Sequence, residues 1–158
     1  MNMVKINFDG VVFTKEKKAG VGVVVRDAKG LVLASCAKEM HQPFKAAVIE
    51  SLAAATPLSF ATNLGFRRVV LEGDSMDVIQ ALRENAESLT PRGLLLEDVR
   101  MLSQNFEQLL YSHTKREGNS VAHNLAKYAL CFPDFLALME DVLPQIQSVL
   151  QADLACFH

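Results

Sequence analysis

At 158 residues, half of them apolar, the chain is long enough to bury one proper core and too short for two large domains. A net charge of −2, from 16 Lys and Arg against 18 Asp and Glu, excludes a protein held on nucleic acid by bulk charge alone. No signal peptide, membrane-spanning apolar run, repeat or low-complexity linker is present, and the three widely spaced cysteines fit free thiols in a reducing, intracellular compartment.

The first element is read from "VKINFDGVVF". Its density of Val, Ile and Phe predicts a strand from roughly Lys5 to Phe13, beginning so close to the amino terminus that any additional domain is expected to have been cut off or never to have existed. Asp9 stands inside this run, where a buried carboxylate is costly without compensation. A charged turn at Lys15–Lys18 leads to a second strand, "GVGVVVRD", and "DAKG" turns tightly into a third, "LVLASCAKEM". Phe44 to Asn63 is expected to be a helix with a kink or short break near Pro57. Its face bearing Ala46, Ala47, Glu50, Ala53, Ala54 and Ala61 is small enough to approach a sheet closely, and Gly65 suits its C-terminal cap.

"RRVVLEGDS" has the continuous apolar pattern of a strand buried on both faces, ending at Asp74 and Ser75 where a helix from Met76 to Glu84 begins. A further helix is expected over Arg92–Asn105. "EQLLYSHTKRE" supplies a fifth strand, and "NSVAHNLAKYAL" a helix with Asn119 or Ser120 as N-cap. Beyond residue 131, Phe135, Met139, Val142, Ile146 and Val149 fall at helical spacing. Residues 132–158 therefore read as a C-terminal helical tail, packed on the 1–131 domain or on a protein partner or second copy. The order predicts an α/β fold: a five-stranded mixed sheet, three antiparallel strands then two helix-linked ones, flanked by helices.

Taken singly, the acidic residues have ordinary explanations. Asp9-Gly10 could mark a bulge, Asp74 could cap the following helix, and Glu50 could face solvent. Together they point elsewhere. Strands one and four are neighbours in the expected sheet, and ligand sites in such sheets lie outside the carboxyl ends of strands. Glu50 lies on the face that can approach that point. Three converging carboxylates repel one another, and a hard divalent cation turns the penalty into binding.

With these motifs in order, "INFDG", "GVGVVVRDAKGLVLA", "ESLAAA", "LGFRRVVLEGDS" and "HTKREGNSVAHNLAKYA", the chain resembles the RNase H type-1 domain of the RNase H-like fold, closest to the branch found in plant proteins and plant retroelements. The resemblance implies a ribonuclease H endonuclease that cuts the RNA strand of RNA–DNA hybrids with two Mg²⁺ or Mn²⁺ ions. It assigns Asp9, Glu50 and Asp74 as catalytic metal ligands. The fourth ligand, usually Asp, falls on His123, four residues after Asn119. It also implies that Gly10 permits close approach to a 2′-hydroxyl, and that Asn119 belongs to the substrate-binding set. Lys115, Arg116 and Arg26 are cations able to meet phosphates.

The departures shape the expectation. Imidazole suits Mn²⁺ better than Mg²⁺, so His123 predicts a Mn²⁺ preference. "HTKREGNS" has no room for the mobile histidine loop of bacterial-type members, and His113, further back in the strand, is given no such role. Ala46, Ala47 and Met76 stand where the family often has hydrogen-bonding residues, and the acidic "RENAESLTPRG" replaces a basic protrusion. A fold retained as a weakened or inactive nucleic-acid-binding or protein-interaction module is the alternative. A small-molecule enzyme has little support, there being no glycine-rich phosphate loop and no recognisable Ser-His-Asp setting.

Overall fold

The computed structural model describes residues 2–40, 46–84, 99–131 and 135–139, with side chains of the first helix from Ala53 onward. Six strands form one sheet: β1 (Val4–Phe13), β2 (Lys18–Arg26), β3 (Val32–Met40), β4 (Arg68–Gly73), β5 (Gln108–His113) and β6 (Phe135–Met139), in the spatial order β5-β4-β1-β2-β3-β6. The first three strands are an antiparallel meander, and β4 and β5 add in parallel beside β1. Helices α1 (Ala46–Leu64) and α2 (Met76–Glu84), with the helical residues 99–103 (α3), pack on one face, and α4 (Ser120–Tyr128) packs on the other. The mixed sheet flanked by helices agrees with the expected fold. Among the described residues, no helix is long and apolar enough to cross a membrane.

Alternation along the strands splits the core. Ile6, Phe8, Val21, Val23, Val25, Val69 and Leu71 face α1 and α2, where they meet Ala53, Ala54, Leu58, Ala61, Val78 and Ile79. On the opposite face Val24 meets Val121, Ala122 and Leu125 of α4. The β2–β3 turn is closed by Asp27, whose carboxylate accepts the Lys29 and Leu31 amides at 2.8 and 3.0 Å, with Gly30 at φ 85°. Helix α1 continues through Pro57 without the expected break. Proline forfeits one hydrogen bond there, while Ala53, Ala54, Leu58 and Ala61 keep the helix seated on the sheet.

The sheet has a sixth strand that the sequence reading placed in a helical tail. Phe135–Met139 pairs antiparallel with β3, from Ala34↔Met139 to Lys38↔Phe135. "FLALM" is apolar at every position, so its pattern serves a period of two as well as one of 3.6. The open edge of β3 decides between them. Leu136 and Leu138 join the α4 side, and Phe135 meets the Phe60 ring edge-on at 6.1 Å. The rest of the expected tail, from residue 140, and most of the expected Arg92–Asn105 helix lie outside the described residues.

The approach of α4 depends on two glycines. A Cβ on Gly22 would collide with the Ala122 carbonyl oxygen, and one on Gly20 with the Ala126 carbonyl oxygen. The "GVG" of β2, opposed by alanines at 122 and 126, therefore lets helix backbone lie directly on strand backbone. Gly22 also pairs with Asp9 in the β1–β2 register, so this contact sets the distance between α4 and Asp9. We predict that Gly22→Ala lowers stability by about 1–3 kcal/mol through overpacking. Thermal melts would show it, and an unchanged melting temperature would mean that α4 is not held by this contact.

Candidate active site

The site grows out of the strand register. Asn7 on β1 pairs with Glu72 on β4, where the parallel ladder ends. Carried two residues further, that register sets Asp9 level with Asp74, on the same face of two strands that are parting. Ser75 performs the capping of α2, its hydroxyl accepting the Val78 amide at 3.4 Å. Asp74 is thus released from the capping role that its position offered.

Asp9 meets His123 directly. Their Oδ2 and Nδ1 atoms lie 2.6 Å apart, and both side chains are mostly buried, at 11% and 24% exposure. Because an ionised carboxylate only accepts, the ring donates through Nδ1. Asp74 contributes a second buried oxygen. Its Oδ2 has no hydrogen-bond partner among the described residues, and the Arg116 guanidinium approaches it, with Nε 3.7 Å away on an otherwise exposed side chain. Burial, and then the charge of Asp74, raise the Asp9 carboxyl above its ordinary range, while the His123 bond and the Gly10 amide pull the other way.

The remaining expected residues are distributed as follows. Glu50 belongs to α1, three and four residues ahead of buried Ala53 and Ala54, and its side chain lies outside the described residues. Gly10 is half-buried on β1, just past Asp9. Lys115 and Arg116 are exposed at the 3₁₀ turn Arg116–Asn119, which leads into α4. Asn119 departs from expectation. It makes no side-chain cap, is 1% exposed, and donates through Nδ2 to the Phe8 carbonyl at 2.9 Å, so it lies beneath the site, away from any substrate surface. Arg26, the last residue of β2, is also unsuited to meeting phosphates, being 3% exposed.

His113, read in the sequence as a strand histidine without the loop histidine's role, ends β5 and brings Nε2 to 3.3 Å from the Asp74 carbonyl oxygen, at the site's margin. One feature went unread. The polar row beside Asp9 and Asp74, Asn7 and Glu72, repeats one spacing: each stands two residues ahead of an aspartate, in "NFD" and "EGD". That shared spacing on two neighbouring strands was the available signal.

The donor set suits a hard divalent cation. Two largely buried carboxylates on one face, one with an orphaned oxygen, repel each other, a cation would relieve that repulsion, and an imidazole already stands against Asp9 as a further donor. Among the described residues no three His, Cys, Asp or Glu side chains are gathered around one point, Glu50 standing outside that set.

The profile of a family described as reverse transcriptase-like matches residues 7–129. Among solved structures, RNase H1 from the halophilic archaeon Halobacterium salinarum superposes with a TM-score of 0.75 at 26% identity, covering 82% of this chain and 98% of its own. The N-terminal RNase H domain of a Mycobacterium tuberculosis protein gives 0.73 at 26% identity, over 83% of this chain and 95% of its own. LC11-RNase H1, isolated from compost and solved with an RNA/DNA hybrid, gives 0.69 at 22% identity, over 81% and 96%. No curated protein matches the sequence.

The raised Asp9 carboxyl carries a stability consequence. A group whose folded value is raised stabilises the fold below its unfolded value and loses that contribution as pH climbs through the folded one. Ionised Asp9 therefore costs stability at neutral pH when no metal is present. Asp9→Asn is expected to raise the melting temperature of metal-free protein at pH 7, with the gain shrinking as the pH falls towards 3.8. A lower melting temperature at pH 7 would contradict the stated cause.

Proposed function

Since the chain belongs to the reverse transcriptase-like family and is an RNase H type-1 domain, we propose that it cleaves the RNA strand of RNA–DNA hybrids with divalent metal. The observation that carries this reading is the pairing of Asp9 with His123 at 2.6 Å, beside a buried Asp74 oxygen left without a hydrogen bond. In this reading Asp9, Glu50, Asp74 and His123 hold the metal, either Mg²⁺ or Mn²⁺. When bound, such ions lower the pKa of water and neutralise charge on the leaving oxygen.

The chain's own groups have distinct tasks. Asp9 and Asp74 concentrate negative charge just past the end of the β1–β4 ladder, where it attracts cations and repels an unaccompanied phosphate. His123 holds its ring against Asp9 and offers nitrogen where an all-carboxylate site would offer oxygen, which favours Mn²⁺. Gly10 has no side chain to keep a 2′-hydroxyl from the β1 backbone. The 2′-hydroxyl is what tells RNA from DNA at a given position. Lys115 and Arg116, exposed on the turn before α4, are available to phosphates of the bound strand. Water adds to phosphorus, the bond to the 3′-oxygen breaks, and the products are a 5′-phosphate and a 3′-hydroxyl.

A second reading is a hybrid-binding module with little cleavage. Half-exposed Met76 favours it, opening α2 two residues after Asp74 with an apolar side chain where a hydrogen-bonding one could hold the strand. One assay separates the two. A labelled RNA–DNA hybrid is incubated in Mg²⁺ and in Mn²⁺ with the parent, Asp9→Asn, Asp74→Asn and His123→Asp. The parent is expected to cut faster in Mn²⁺. The two Asn variants should lose at least a hundredfold, equivalent to ~2.7 kcal/mol of transition-state stabilisation. His123→Asp should gain rate in Mg²⁺. Tight hybrid binding without cleavage would establish the second reading, and equal residual activity in every variant would refute the first.

A further inference from the structure

Beneath Asp9 runs a hydrogen-bonded row that crosses three strands, reaches Asn119 just before α4 and returns to the β1 backbone. Ser112 of β5 donates to Glu72 Oε2 at 2.9 Å, and Glu72 Oε1 accepts from Asn7 Nδ2 at 3.0 Å. The same Asn7 nitrogen donates to Asn119 Oδ1 at 3.2 Å, and Asn119 Nδ2 donates to the Phe8 carbonyl at 2.9 Å. The strand register explains the row, since Asn7 lies opposite Glu72 and Glu72 opposite Ser112. Lys5 sets an ammonium 3.7 Å from Glu72. Asn7, Glu72 and Asn119 are all buried, at 4%, 9% and 1% exposure.

The polarity of this row is forced at each step. A carbonyl only accepts, so Asn119 must turn its nitrogen to Phe8 and its oxygen to Asn7. Asn7 must then donate, and its second hydrogen finds a carboxylate, which also only accepts. No amide can be flipped without setting acceptor against acceptor in a buried place, at the cost of an unsatisfied polar group. The row ends on the residue immediately before Asp9, and His123 follows Asn119 by four residues, one helical turn on the same face.

We propose that Asn7, Glu72 and Asn119 are positioning residues that fix the first turn of α4 to β1 and so hold the His123 ring on Asp9. The proposal rests on the reading of Asp9 and His123 as metal ligands. It assigns the buried amides a task beyond stability: they set the angle and separation at which the two ligands meet. Outer partners of this kind typically alter metal affinity 10–100-fold when removed.

The test exchanges donor and acceptor. Asn7→Asp alone sets two carboxylates together and should lower the melting temperature sharply. Adding Glu72→Gln restores one donor–acceptor pair, since the amide introduced on β4 can donate to the carboxylate introduced on β1 and its oxygen can still accept from Ser112. The Asn119 contact is not restored, because Asn119 then faces a carboxylate with its own oxygen. The double variant should therefore recover most of the melting temperature, yet show displaced His123 ring nitrogen resonances in metal-free NMR. Calorimetry should show Mn²⁺ affinity weakened by about tenfold or more. Parental His123 resonances and parental Mn²⁺ affinity in a refolded double variant would overturn the proposal. If the double variant does not fold, Asn119→Asp decides: it can still accept from Asn7 but opposes the Phe8 carbonyl, and parental values there would equally overturn it. A parent that binds no Mn²⁺ would defeat the metal reading alone, and the ring resonances would still decide the positioning role.

Discussion

Two carboxylates share one face of the sheet at the place where β1 and β4 part. Water is largely excluded from Asp9, and one oxygen of Asp74 has no hydrogen bond. Charge in such surroundings is tolerated only if something of opposite sign, or a good donor, stands close by. The chain supplies a histidine to Asp9 and a solvent-exposed arginine at long range to Asp74. That partial compensation leaves a place that a divalent ion would complete, and the surrounding architecture follows from keeping it in shape.

Three local devices hold the arrangement. The parallel ladder between β1 and β4 brings the aspartates level, and Ser75 takes over the capping of α2 so that Asp74 is free. Gly20 and Gly22 remove the side chains that would hold α4 away from the sheet, which brings His123 within reach of the strand carrying Asp9. The buried amides then fix the start of α4 to the β1 backbone. Each device sacrifices something locally favourable: a stronger cap, β-propensity at the glycines, or an all-apolar core. Local exceptions of this kind gathered around one point mark a functional site.

Much of this was legible in the residues. Strand and helix types followed from period, and the carboxylates could be brought together because Asp9 interrupts an apolar run and Asp74 follows one, on strands that the element order makes neighbours. Where the reading missed, the pattern served two structures equally. "FLALM" carries no polar residue to distinguish a strand from a helix, so only the open edge of β3, a tertiary feature, decides. Asn119 looked like an N-cap because Asn at a helix start usually is one. Its side chain instead turns to the Phe8 carbonyl, 111 positions away in sequence, a partner that no local pattern announces. Arg26 and Lys115 are indistinguishable as cations in the sequence, and it is burial in the sheet that separates them. Asn7 and Glu72 were passed over as polar interruptions in strands, although each lies two residues from an aspartate.

The claim on which the rest stands is that a divalent ion settles at the Asp9 and Asp74 carboxylates, beside the α4 imidazole. Paramagnetic line broadening tests it most directly: sub-stoichiometric Mn²⁺ is added to ¹⁵N-labelled protein, and the amide signals that vanish first are mapped. The account predicts early loss at Gly10, Ser75 and the residues flanking His123, with signals of β3 and β6 persisting. Broadening centred elsewhere, or none at all, would contradict it.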